Sequence, residues 1–433
     1  MKHLNSVRYQ LLTLAVAATL ALPSVPAGAA QTDISQVPLG TAASTSVLPN
    51  IMFILDDSGS MGRYWMPDDV RASDGTPNTT NCKQFTLHSG GANSSNCILD
   101  SGNTNTVSPT SDNVRHVPAQ EWPAGPPAYA AQFNTIYYNP QFTYRPGKDR
   151  VGAQMTSFGT PWTAVQVNPY VSASTVDLTT QYPEPVFCTA SNSTATDNAA
   201  CRRNGYDATG TTLLASFRYS TASAAVDGSY GWPISTAAGA FRFIRMRFGG
   251  PHFYTILPRE HCSDINLTSC VLSATPSGLN TIPAPVRYCQ DATMANSDAV
   301  QSGTSGATAR CQAKLDAAHS FMRYGTFVRV DITSSVPTYG GRPNRVDCAA
   351  RPVCTYDEEM TNFANWFAYY QTRMQTMKTA AGRVFADMDD RYRIGFVTIN
   401  ASSSARYLKI DKFEPVHKGN WYDKFYAMTP ANR

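Results

Sequence analysis

The chain has 433 residues, only 15% of them charged, with a formal net charge of +4. That length exceeds what one average domain needs and is ample for a sizeable core. The near-neutral balance excludes an electrostatic case for nucleic acid or an anionic membrane surface, so the polar surface is left to Ser, Thr, Asn and Gln.

Residues 1–30 read as a secretory signal. Lys2 and Arg8 make a positive start, Leu11–Leu22 is a short apolar run, Pro23 and Pro26 break it, and Ala27-Gly28-Ala29-Ala30 supplies small residues for cleavage. Its removal leaves 33 basic against 31 acidic residues. No later stretch reaches the ~20 apolar residues of a spanning helix. The mature protein is therefore expected to be exported and to carry no integral membrane segment. Residues 31–48 form a Ser-, Thr- and Ala-rich linker.

Within residues 49–63, Ile51-Met52-Phe53-Ile54-Leu55 is a continuous apolar run, the pattern of a strand buried on both faces. It ends in Asp56-Asp57-Ser58-Gly59-Ser60-Met61-Gly62. From residue 64 to 358 the composition shifts to Gly, Pro, Ser, Thr and Asn. Short strands are predicted at Phe241–Phe248, Phe253–Leu257 and Phe327–Ile332, with turn residues between them. Arg242, Arg245 and Arg247 alternate with apolar residues and read as the solvated side of the first of these.

All ten cysteines lie in this region as close neighbours: Cys82/Cys97, Cys188/Cys201, Cys262/Cys270, Cys289/Cys311 and Cys348/Cys354. An even count in an exported chain argues for disulfides. Sequential pairing would stabilise each loop by about 2–3 kcal/mol in the chain-entropy model, although sequence leaves the connectivity open. Zinc is the rival, but there is no CxxC pair and the histidines are scattered.

Residues 359–433 turn helical. Phe363, Trp366, Phe367, Tyr370, Met374, Met377, Ala381, Val384, Phe385 and Met388 recur at three- and four-residue spacing and predict one apolar helical face closed by Asp389-Asp390. Gly382 weakens that pattern without ending it. Ile394–Ile399 reads as a buried strand, Tyr407–Ile410 as another, and Asn420–Met428 as a second helix. The order is that of an open α/β sheet.

Asp56, Ser58 and Ser60 are the candidate metal ligands. Ligands of α/β sheets sit beyond the carboxyl ends of strands, where this Asp-x-Ser-x-Ser loop follows the first apolar run. One carboxylate and two hydroxyls are hard oxygen donors suited to Mg²⁺ or Ca²⁺. Gly59 allows a tight turn between the serines. The strand and loop together resemble the metal-ion-dependent adhesion site of von Willebrand factor A domains. That resemblance implies an incomplete, Rossmann-like von Willebrand factor A sheet interrupted by a large, disulfide-stapled, mainly β and loop-rich insertion. It also implies a Thr and an Asp from later loops in the metal shell. Thr429 is not assigned to that role, and both partners are expected beyond Arg433.

Phe133-Asn134-Thr135-Ile136-Tyr137-Tyr138-Asn139-Pro140, followed by Tyr144-Arg145-Pro146, resembles a segment of PilY-type type IV pilus biogenesis factors. So do Asn362–Tyr370 with Arg373-Met374, Arg393–Val397 and Trp421-Tyr422. The resemblance implies the N-terminal part of a non-enzymatic pilus-associated adhesin in the periplasm, outer membrane or cell surface. Pilins and minor pilins would be its partners, together with a host or surface ligand. Tyr137, Tyr138, Trp366 and Tyr370 themselves are expected to pack cores. Two alternatives remain: a secreted von Willebrand factor A-type protein binding matrix or carbohydrate, and, remotely, a serine protease using Ser305 of Gly303–Ala307. His252, after Gly249-Gly250-Pro251, lacks the setting such a triad needs.

Overall fold

The apolar run at Ile51–Leu55 is a strand, but one of its faces is open. In the computed structural model, which describes residues 47–64, 66, 129–188, 201–202, 243–290, 310–314, 316, 318–319, 321–400 and 403–430, β1 spans Asn50–Leu55. Leu55 is buried while Ile54 is 63% exposed, so burial on both faces does not hold here. The chain divides into Met1–Leu48 and Pro49–Arg433, and the second unit is described below. The signal segment and most of the linker lie outside the described residues. Among those described, no helix is long and apolar enough to cross a membrane.

The described residues of the stretch after β1 form antiparallel pairings, as its turn-rich composition predicts. β2 (Val165–Gln166) pairs with β3 (Thr175–Val176), and β4 (Tyr182–Cys188) lies between β5 (Cys201–Arg202) and β6 (Phe243–Gly249). Next come β7 (His252–Leu257) and then β8 (Glu260–Cys262), which sits between β9 (Cys270–Leu272) and β10 (Ile282–Pro283). β11 (Val286–Cys289) lies between β12 (Cys311–Gln312) and β13 (Phe321–Tyr324). β14 (Thr326–Asp331) returns to pair with β7 along its whole length. β15 (Thr338–Tyr339) closes on β16 (Cys354–Thr355).

Three of the sequential cysteine pairs are disulfides: Cys262–Cys270, Cys289–Cys311 and Cys348–Cys354. Cys188 and Cys201 stand opposite each other in the β4–β5 register; their side chains, and Cys82 and Cys97 entirely, lie outside the described residues. Cys348 and Cys354 also adjoin Glu358. Their sulfurs are bonded to each other, and the Glu358 carboxylate accepts the N–H groups of Ala349 and Thr355 at 2.8 Å. That cluster therefore has no ligands to give a metal.

The predicted single helical run is two helices. α1 (Tyr356–Tyr369) begins in a capping box, with Thr355 and Glu358 bonded reciprocally and Asp357, Glu358 and Glu359 in its positively polarised first turn. It stops at Tyr370. Thr372 then caps α2 (Arg373–Ala386), its side chain accepting from Gln375 N at 3.1 Å. Because the break rotates α2 relative to the pattern, Met377 and Val384 are 39% and 58% exposed instead of sharing the buried face. β17 (Arg393–Thr398) pairs parallel with β1, from Asn50–Arg393 to Leu55–Thr398. β18 (Tyr407–Lys412) is antiparallel to β17, and α3 (Pro415–Ala427) follows with Pro415 in its first turn, where a missing N–H costs nothing. The result is a mixed α/β chain of small sheets with three helices among the described residues.

Two cores form, and they divide the helices between them. α1 buries Met360, Phe363, Trp366, Phe367 and Tyr369 among Tyr129, Phe133, Tyr137, Tyr138, Tyr182 and Phe253 of the strand-rich region. α2 and α3 instead cover the β1–β17–β18 sheet with Met374, Phe385, Trp421 and Phe425 against Phe53 and Phe396. The two segments that prompted the pilus-factor resemblance are each other's partners. Trp366 Nε1 donates to Ile136 O at 2.9 Å, Tyr144 N to Asn362 Oδ1 at 2.7 Å, and Tyr370 hydroxyl to Arg145 O at 2.7 Å. Tyr137, Tyr138 and Trp366 are buried, as expected of core packing, whereas Tyr370 is half-buried against the same core. Where α2 begins, Arg373 N donates to Arg63 O at 3.2 Å, so the chain leaves and re-enters the sheet region at one point.

Gly382 has a reason to be glycine. A Cβ there would collide with the Tyr426 hydroxyl, and the Gly382 carbonyl accepts from Tyr422 at 2.6 Å, so α2 and α3 touch backbone to ring. Ala is the better helix former by about 1 kcal/mol. Overpacking typically costs ~1–3 kcal/mol. Gly382→Ala is therefore expected to lower stability by a net ~0–2 kcal/mol in urea unfolding. An increase would show that the α2–α3 contact yields freely.

A candidate metal-site loop

The loop between β1 and the insertion carries the three sequence-predicted ligands and brings the side chains of two of them, Ser58 and Ser60, into contact. Leu55 anchors its start: the side chain is buried and its carbonyl accepts Ile399 N–H at 2.9 Å, tying the carboxyl ends of β1 and β17. Asp56 Oδ1 accepts the N–H of Ser58 at 2.8 Å, which turns the chain back over the carboxylate. The Ser58 and Ser60 hydroxyls lie 2.9 Å apart. A 3-10 turn, Gly59–Gly62, fixes them there, with Met61 N donating to Ser58 O at 3.0 Å and Arg63 N to Ser60 O at 3.2 Å.

Asp56 is exposed, whereas Ser58 and Ser60 are half-buried. One Asp56 oxygen is committed to the turn, and the other is the one that would bind an ion. With both hydroxyls this makes three hard donors on one short loop, about half an octahedral shell. The donor set fits Mg²⁺ or Ca²⁺: Asp56, Ser58 and Ser60 would hold the ion, and the ion would offer its remaining positions to water or to an oxygen ligand from a partner. Thr429 is exposed. Its neighbour Pro430 lies near the loop, since a Cβ on Gly62 would stand 3.6 Å from the Pro430 ring.

Sequence reasoning passed over the buried half of this loop. Asp57 is fully buried; one of its oxygens is bonded to Arg406 Nη1, and the other has no hydrogen-bond partner. Thr398, at the end of β17, also keeps a buried hydroxyl without a partner. The doubled Asp56-Asp57 was legible as two carboxylates, but nothing in the sequence told which one would face inward. Arg406 sits in a 3-10 turn, Ser404–Arg406, whose Ser404 carbonyl accepts Lys424 Nζ at 2.8 Å.

Other candidates do not assemble. His252 is buried, with its ring centroid 5.1 Å from Tyr129 and 5.7 Å from Tyr182. Ser305 lies outside the described residues. A cleft of about 980 Å³ beside the start of α3 is lined by Arg150, Asp389, Asp390, Glu414 and Lys418. Its carboxylates are satisfied by neighbouring cations, Asp389 by Arg391 and both Asp390 and Glu414 by Lys412. Comparison with protein-family models, curated proteins and solved structures gives no match for this chain.

Proposed function

We propose that this chain is an exported, non-enzymatic component of the type IV pilus system, of PilY type, that binds a partner through a divalent cation on the Asp56–Ser60 loop of a von Willebrand factor A region. The observation that carries the reading is the contact of the Ser58 and Ser60 hydroxyls on a loop whose Asp56 carboxylate accepts the Ser58 N–H, at the carboxyl end of a strand in a parallel pair. The parallel β1–β17 pair with helices on one face agrees with such a region. The packing of Phe133–Pro146 against Asn362–Tyr370 agrees with two segments that serve one structural purpose. The disulfides are compatible with an exported protein. The strand-rich insertion would present contact surface to pilins or to a surface ligand.

The test joins binding to phenotype. Titration of the protein with MgCl₂ and CaCl₂ by calorimetry is expected to show one site, weakened at least tenfold by Asp56→Ala with the fold unchanged by circular dichroism. In a deletion strain, wild type is expected to restore surface pili and twitching motility, and Asp56→Ala is not. Pili and motility that survive the deletion would overturn the pilus assignment in favour of a free secreted binder. Rescue by both versions would remove the metal from the function.

A further inference from the structure

The geometry points to Arg406 as a built-in counter-ion that keeps the Asp56–Ser60 loop assembled when no divalent cation is bound and that sets the loop's cation affinity. This rests on the reading of that loop as a metal site.

Four observations support it. Asp57 stands between the candidate ligands Asp56 and Ser58 in the chain, and consecutive Cα atoms are about 3.8 Å apart, so its carboxylate is carried on the same short loop as the donors. It is fully buried, and a buried carboxylate persists only when compensated. Among the described residues, Arg406 makes its one ion pair, leaving the second oxygen without a partner. Arg406 comes from the β17–β18 connection, which is itself pinned to α3 through Lys424. The guanidinium is therefore delivered by a separate element and is not part of the loop it neutralises. With the pair intact the inner side of the loop contributes no net charge. Removing either partner would change the net charge on the inner side of the loop by one unit.

A charge cycle tests this by calorimetric titration with MgCl₂ and CaCl₂, alongside thermal unfolding in EDTA and in excess Mg²⁺. Arg406→Gln leaves the Asp57 anion alone and is expected to tighten cation binding about tenfold, by Coulomb attraction across a few ångströms of protein. It should also make the unfolding temperature depend on Mg²⁺ more steeply than in wild type. Asp57→Asn leaves the guanidinium alone and is expected to weaken binding about tenfold; it keeps side-chain volume and serves if Arg406→Gln fails to fold. The double variant, neutral like the native pair, should return within about twofold of wild type. Equal affinities across the four proteins, with wild type binding the ion, would overturn the counter-ion role alone. A wild-type protein that binds neither ion would overturn the metal reading of the loop and this inference with it.

Discussion

Glu359→Gln is expected to lower the unfolding free energy by about 3–5 kcal/mol, the cost of removing one partner from a buried ion pair. Glu359 is fully buried in the first turn of α1. One oxygen accepts the Tyr138 hydroxyl at 3.0 Å and Arg342 Nη2 at 3.4 Å; the other accepts Arg345 Nη1 at 2.8 Å. Arg345 is equally buried and forks onto Asp347, with both nitrogen–oxygen distances 2.7 Å. Gln would keep the shape but leave Arg345 with Asp347 alone and Arg342 without its carboxylate partner. The loss falls on the contact between α1 and the Tyr138–Tyr144 segment, so both strand-rich core and helix should loosen together. Urea unfolding followed by tryptophan fluorescence measures it. A change below about 1 kcal/mol would mean that Asp347 on Arg345 and the Gly340 carbonyl on Arg342 suffice without Glu359.

Lys378→Met is expected to stabilise the protein at pH 7 by about 2–4 kcal/mol and to flatten its pH profile. Lys378 is fully buried on α2, donates to Tyr426 O at 2.6 Å and lies 5.5 Å over the Tyr170 ring; among the described residues it forms no ion pair. Burial pushes its pKa down to about 7. An unfolded lysine titrates near 10.4. Between these values the unfolded chain holds a proton that the folded one lacks, so wild-type stability rises with pH across that window. Below pH 7 both states are protonated, the slope vanishes, and the fold carries the full cost of a buried ammonium. Met removes both cost and slope, less what is lost when the Tyr426 carbonyl loses its donor. Denaturation between pH 7 and 9, below the range where unfolded tyrosines ionise, is the measurement. A wild-type profile flat across that range would contradict the argument.

Strand and helix positions were largely legible because their signals are local. The apolar runs at Ile51–Leu55 and Ile394–Ile399 became a parallel pair, and Phe253–Leu257 and Phe327–Ile332 became the paired β7 and β14. The split between α1 and α2 was legible too, in Thr372 and Gln375, whose spacing is a helix-start signal; the continuous apolar periodicity hid it. Gly382 read as a weak point because its justification, the Tyr426 ring, lies forty-four residues further on. The site was half legible. Asp-x-Ser-x-Ser announces its donors by spacing, whereas the Asp57–Arg406 pair joins residues with no shared pattern and is decided only by which carboxylate the strand end turns inward.

The hydrogen bond from Arg373 N to Arg63 O has a consequence for how this chain can vary. The chain between Tyr64 and Thr372, α1 included, is an excursion that closes at that seam, and among its described residues Pro146, Lys148 and Tyr170 also bond to α2 and α3. The entropy of closing an excursion grows only with the logarithm of its length, about 0.6 kcal/mol per doubling. The host sheet is therefore nearly indifferent to how much chain the excursion contains, so long as its two ends return to the seam and Pro146, Lys148 and Tyr170 keep their bonds to α2 and α3. Its disulfide-closed loops can be lengthened or trimmed while the Asp56 loop keeps the same anchor on one side.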